Sequence, residues 1–150
     1  MQLVEALKGN LIALDFKAEG KDDVIESIVK AVEVGGYVAD ANGLRNALVE
    51  REKLGTTGVG GGVAIPHARC TAINDVTVAF FRSTNGVNFN SIDNKPVFLM
   101  FVLLAPLSSS GDYLKLLAKI SRLLRHDEFR NALMEAQTPG EILEIVQEHE

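Results

Sequence analysis

The chain offers little for cross-linking, membrane insertion or nucleic-acid binding. Its 150 residues include one cysteine, Cys70, so no internal disulfide can form, and that usage fits a reducing compartment. No stretch is rich in lysine and arginine, and the formal net charge is −5, which excludes a generic phosphate-tracking stripe for nucleic acid. The longest apolar run, Val97 to Ala105, falls far short of the roughly 20 residues that span a bilayer. The opening MQLVEALKGNLIAL carries Glu5 and no basic lead-in, unlike a secretory signal. No pair of histidines or carboxylates has metal-ligand spacing, so neither metal nor cofactor is expected. No repeat, low-complexity tract or linker divides the chain. With 47% hydrophobic and 23% charged residues it has the makings of one cytoplasmic domain over residues 1–150.

What is present reads as alternating helical and strand material. Val24, Ile28, Ala31 and Val32 have helical spacing, and Gly35-Gly36 closes that helix. Asp40 is placed to cap a second helix, in which Leu44, Leu48 and Arg51 share a face before Gly55. Gly58 to Gly62 reads as a loop leading into the short β-type run Val63-Ala64-Ile65. Val76 to Phe81 reads as a strand, Thr84-Asn85-Gly86 as a turn, and Val97 to Ala105 as a strand buried on both faces. Tyr113, Leu117, Ile120 and Leu124 form one helical stripe, and Asp127 can cap a short helix containing Phe129 and Leu133. Thr138-Pro139-Gly140-Glu141 combines a capping box with proline at the first helical position, so a terminal helix follows. Helices on both sides of a strand-rich centre predict a three-layer α/β/α sandwich.

The most informative segment is Thr56-Thr57-Gly58-Val59-Gly60-Gly61-Gly62-Val63-Ala64-Ile65-Pro66-His67. A Walker loop needs Gly-Lys-Ser/Thr opening a helix, and none follows. A dinucleotide fingerprint needs a strand before the glycines and a helix after, and here the order is reversed. What remains is a glycine-dense loop, in which Gly60, Gly61 and Gly62 could turn their amides toward an anion. Pro66 restricts Ile65 to extended geometry and fixes its own φ, so the position of His67 is well defined. Taken singly, His67 reads more readily as a satisfied structural histidine and the glycines as a turn; their adjacency shifts the balance toward function without deciding it. Cys70 reads as a packing residue, and His126 and His149 as solvent-facing on their helices. Asp22-Asp23 and Glu148-His149-Glu150 read as helix-end charges.

The run Arg51-Glu52-Lys53-Leu54-Gly55-Thr56-Thr57-Gly58 through Pro66-His67-Ala68 closely resembles the signature of the enzyme IIA family of the phosphoenolpyruvate-dependent sugar phosphotransferase system, in its fructose/mannitol/nitrogen-regulatory branch. Asn94-Lys95-Pro96-Val97, Leu104-Ala105-Pro106 and the helix from Leu114 to Ser121 extend the likeness, from about Val24 to the terminal helix. The resemblance implies a single α/β/α sandwich around a mixed β-sheet. It further implies that His67 is phosphorylated by the phosphohistidine of an HPr-like carrier, that Arg51 stabilises the phosphate, and that the acceptor is a IIB component or a regulatory target protein. At the position where most relatives carry a second histidine, this sequence has Tyr113, which either supplies a hydrogen bond in its place or simply fills the core. The alternative to a phosphocarrier is a binding module that keeps the fold and docks partners with little phosphotransfer.

Overall fold

The run Val97–Ala105 becomes β6, the middle of the sheet, in a computed structural model that describes residues 1–150. Successive side chains of a strand point to opposite faces. Leu99, Phe101, Leu103 and Ala105 accordingly enter one apolar cluster, and Met100, Val102 and Leu104 enter another. On one side of β6 runs β5 (Thr77–Val87), antiparallel. On the other run β3 (Val63–Ala64) and β4 (His67–Arg69), both parallel. β1 (Leu7–Ala13) lies parallel beside β5, and β2 (Gly58–Gly60) lies antiparallel beside β3. The order is β1-β5-β6-β3-β2, with β4 sharing the β6 edge.

Helices α2 (Lys21–Val34) and α3 (Ala41–Lys53) cover the Met100 face through Val24, Ile28, Val32, Leu44 and Leu48. The opposite face carries α1 (Leu3–Ala6), α4 (Ser110–Leu123), α5 (Asp127–Glu135) and α6 (Pro139–His149), packed through Leu3, Leu116, Ile120, Phe129, Leu133 and Ile142. The expected three-layer sandwich around a mixed sheet is therefore the fold. Its helix ends follow the sequence signals. Asp40 accepts from the Gly43 amide at 3.0 Å, and Thr138 Oγ1 accepts from the Glu141 amide at 3.1 Å. Glu141 in turn accepts from the Gln137 amide at 2.7 Å, one residue before the cap.

Several local readings are corrected. Thr84-Asn85-Gly86 is not a reversal but part of β5, where the register to β6 shifts between Arg82 and Val87. Gly86 has φ +82°, and a Cβ there would lie 2.7 Å from Pro96 Cβ, so turn-type residues mark a bulge. Gly58–Gly62 is a β-hairpin rather than a plain loop, with β2 returning on β3. His126, not Asp127, occupies the N-cap position of α5, without a side-chain capping bond, and Asp127 pairs with Arg130 one turn on. His126 is exposed, but the half-buried His149 ring packs edge-on against Phe129 at 5.3 Å, and its Nδ1 lies 2.8 Å from the Ile145 carbonyl. The Glu150 side chain is no loose helix-end charge. It accepts from the Leu3 and Val4 amides at 2.7 and 2.9 Å and pairs with Lys119 at 3.0 Å. Burial pushes that carboxyl up, but these donors outweigh it and hold it below the usual range. No helix is long and apolar enough to cross a membrane.

Candidate functional site

Pro66 divides the strand beside β6 into β3 and β4. It brings no N–H to the ladder, yet its carbonyl accepts from the Leu103 amide at 2.9 Å, which keeps the chain in register along β6. His67 follows as the first residue of β4, opposite Leu103. β2 pairs with β3 but not with β4, so the outer edge beside His67 carries no strand. The imidazole sits there in a notch of about 200 Å³ lined by Arg51, Thr56, Thr57, Leu117 and Ser121 among others.

The ring's hydrogen bonds fix its tautomer. His67 Nδ1 lies 2.6 Å from the Ile65 carbonyl, which can only accept, so Nδ1 carries the proton and donates. Nε2 keeps its lone pair and accepts from Arg51 Nε at 3.1 Å. Burial is the main influence and pushes the His67 pKa down. The Arg51 cation adds to this, while the Ile65 carbonyl and Glu52 pull the other way without prevailing. The result is a neutral imidazole with its free nitrogen turned toward the notch.

Arg51 reaches this point because it ends the last turn of α3 on the side of Leu44 and Leu48. Its Nη1 donates to the Gly55 carbonyl at 2.8 Å, so the guanidinium is held at two points. The loop it leans on is braced by a residue that sequence reasoning passed over. Glu52, with a side chain 6% exposed, pairs with Lys21 at 2.9 Å and accepts from Thr57 through both its amide and its hydroxyl, at 3.1 and 2.5 Å. Nothing in the spacing distinguishes Glu52 from an ordinary exposed helix charge, because Lys21 comes from a different helix.

Tyr113, in the first turn of α4, places its ring centroid 6.1 Å from that of His67, tilted by 54°. The Arg69 guanidinium lies 5.3 Å from the same ring. Burial raises the phenol pKa against the influence of Arg69 and Arg51, so the hydroxyl stays protonated and able to donate. Arg69 is the second residue that sequence reasoning missed. The period of two along β4 puts it on the same side as His67 once that strand is recognised.

The glycines stand elsewhere. Gly60, Gly61 and Gly62 have φ of +92°, +66° and +80° and make the tip of the β2–β3 hairpin. The Gly60 amide donates to Ser91 Oγ at 3.2 Å and the Gly61 amide to Asp93 Oδ2 at 3.1 Å, so neither faces His67. At the rise of a parallel strand, the four-residue separation of Val63 from His67 puts this tip about 13 Å from the imidazole. The loop's conformational freedom is used for a tight turn, not for a cradle at the histidine. Cys70 packs against the α2–α3 core.

Chemically, the notch offers a neutral nitrogen with one cation bonded to it, and Arg51 also lines the neighbouring depression that holds Arg69 and the Tyr113 phenol. That set suits the transfer of a charged group whose oxygens need donors. Residues 5–149 match the family described as "Phosphoenolpyruvate-dependent sugar phosphotransferase system, EIIA 2". A fructose-specific EIIA component from Haloferax volcanii is 38% identical over 92% of this chain and 90% of its own length. The fructose-specific EIIABC component of Bacillus subtilis is 32% identical over all of this chain, which spans only 24% of that longer protein. Among solved structures, the nitrogen regulatory protein IIA-Ntr of Neisseria meningitidis superposes with a TM-score of 0.89 at 33% identity, covering 96% of this chain and 98% of that one. The match extends through α1 and β1, upstream of the likeness visible by eye from Val24, and on these grounds the chain belongs to the type-2 enzyme IIA family of the phosphotransferase system.

Proposed function

We propose that His67 Nε2 accepts a phosphoryl group from the phosphohistidine of an HPr-like carrier and hands it to a IIB component or a regulatory target protein. The observation that carries this reading is the tautomer: the Nδ1–H bond to the Ile65 carbonyl leaves Nε2 as the unprotonated ring nitrogen, its lone pair engaged only by the Arg51 Nε–H. In the transfer, Nε2 attacks phosphorus and the donor's P–N bond breaks, its electron pair returning to the donor imidazole. The proton on Nδ1 stays in place, and the product is an Nε2-phosphohistidine. Arg51 must release the lone pair for the attack, after which its guanidinium faces the phosphate oxygens. The Tyr113 hydroxyl donates to the same group. Leu54, exposed to 84%, together with Leu107, Leu114 and Val59, supplies an apolar rim for a docking protein.

Phosphorylation by phosphoenolpyruvate, enzyme I and HPr tests this directly. The parent should become labelled at one site, acid-labile and base-stable as a phosphoramidate is, and His67→Ala should take up no label. Label persisting in His67→Ala would overturn the assignment.

A further inference from the structure

Beyond the His67 notch, between the β2–β3 hairpin and the α4–α5 turn, lies a second groove of about 450 Å³. Its size falls in the range of small-molecule sites. Val63, Ile65 and Leu124 give it an apolar floor, and Ser121, Arg125 and Arg130 line its polar side. The chain as a whole is acidic, yet no carboxylate lines this groove. The two arginines differ. Arg130 is partly committed, its Nη1 donating to the Leu124 carbonyl at 2.5 Å and its Nη2 pairing with Asp127. Arg125 is exposed and belongs to none of the chain's ion pairs. An apolar floor ending at a free guanidinium and a hydroxyl matches a molecule with an organic body and a compact dianionic head, since the planar fork pairs two phosphate oxygens at once.

We propose that this groove binds a small organic phosphate monoester, its body on Val63, Ile65 and Leu124 and its phosphate on Arg125 and Ser121. The site adjoins the notch through Val59, Ile65 and Ser121, which line both. The test uses the unphosphorylated chain, so it reads binding apart from any phosphotransfer at His67. Phenyl phosphate is titrated into the full chain and followed by ¹H–¹⁵N NMR, with phenol and inorganic phosphate as separate arms. The expected result is saturable shifts at Ser121, Leu124 and Arg125, with phenol and inorganic phosphate each binding at least about 10-fold more weakly. Arg125→Gln, which removes an exposed charge without a structural partner, should weaken phenyl phosphate by about 10-fold or more, the size of one charge-assisted contact. Equal binding by phenol or by inorganic phosphate, unchanged affinity in Arg125→Gln, or shifts confined to His67, Arg51 and Tyr113 would each overturn the proposal.

Discussion

At the scale of single residues, the site depends on what Arg51 and Tyr113 add to an imidazole already held in one tautomer. Arg51 makes two bonds with one planar group, to His67 Nε2 and to the Gly55 carbonyl. A lysine ammonium keeps the charge but cannot keep both directions. Arg51→Lys should therefore fold normally and accept phosphate about 10- to 1,000-fold more slowly, the range for one lost transition-state donor. Single-turnover transfer from phospho-HPr measures it, and a near-parent rate would leave Arg51 as a helix-end charge. Tyr113→Phe removes only the hydroxyl and keeps the ring beside His67 and Arg69. A hydrogen bond to a charged group contributes about 1.5–3 kcal/mol. The phosphohistidine of the Phe variant should accordingly form or persist roughly 10- to 150-fold less well. Equal formation rate and lifetime in Tyr113→Phe would make the tyrosine a core residue and nothing more. Arg51, His67 and Tyr113 could be singled out from sequence through helical spacing, Pro66 and the family likeness. Glu52 could not, because its partner Lys21 lies on another helix, and Arg69 only once β4 is recognised as a strand.

Elements were legible where one pattern governed them. β6 follows from a continuous apolar run, and α3 and α6 from their caps at Asp40 and Thr138. The failures share a cause: residues chosen for one local conformation were serving a tertiary one. Gly86 reads as a turn but lets β5 bulge against Pro96, and the Gly60 and Gly61 amides are satisfied by Ser91 and Asp93 from a distant loop. Arg82 shows the same principle in a strand. It is 8% exposed, and its guanidinium donates to the carbonyls of Leu133, Met134 and Ala136 at 2.9, 3.1 and 2.5 Å and to that of Leu14 at 3.1 Å. Leu133 and Met134 lie in the last turn of α5 and Ala136 is its C-cap, where carbonyls have no partners within the helix. One cation thus fastens α5 and the end of β1 to β5. Arg82→Met preserves the stem but strands these acceptors, a loss of about 2–4 kcal/mol. For a chain of this size that amounts to roughly 4–16 °C in Tm. Urea unfolding checks the energy, and a loss below about 1 kcal/mol would show that water replaces the guanidinium at no great cost.

For the molecule as a whole, the sandwich sets the chemistry of His67 mainly by burying it. The chain is acidic, but the charged group bonded to the imidazole is the cation Arg51, so net charge is a poor guide to the site. Burial first and the Arg51 charge after it lower the His67 pKa below its ordinary value of about 6.5. The sign of the consequence follows from linkage. The folded state releases the proton more readily than the unfolded chain, so unfolding takes up a proton when pH lies between the two pKa values. Stability associated with neutral His67 is fully present above about pH 6.5 and is lost as pH falls through the folded value. The proposed nucleophilicity of His67 follows the same window, since only the neutral ring has a lone pair on Nε2. The His67 ring protons should titrate by NMR with a midpoint below about 6.5. The urea midpoint of the parent should decline on acidification from about pH 6.5 more steeply than that of His67→Gln, which has nothing to titrate there. Parallel acid declines in the two proteins, or a titration midpoint above the ordinary histidine value, would mean that the notch is wetter than its geometry indicates and that burial does not keep the imidazole neutral.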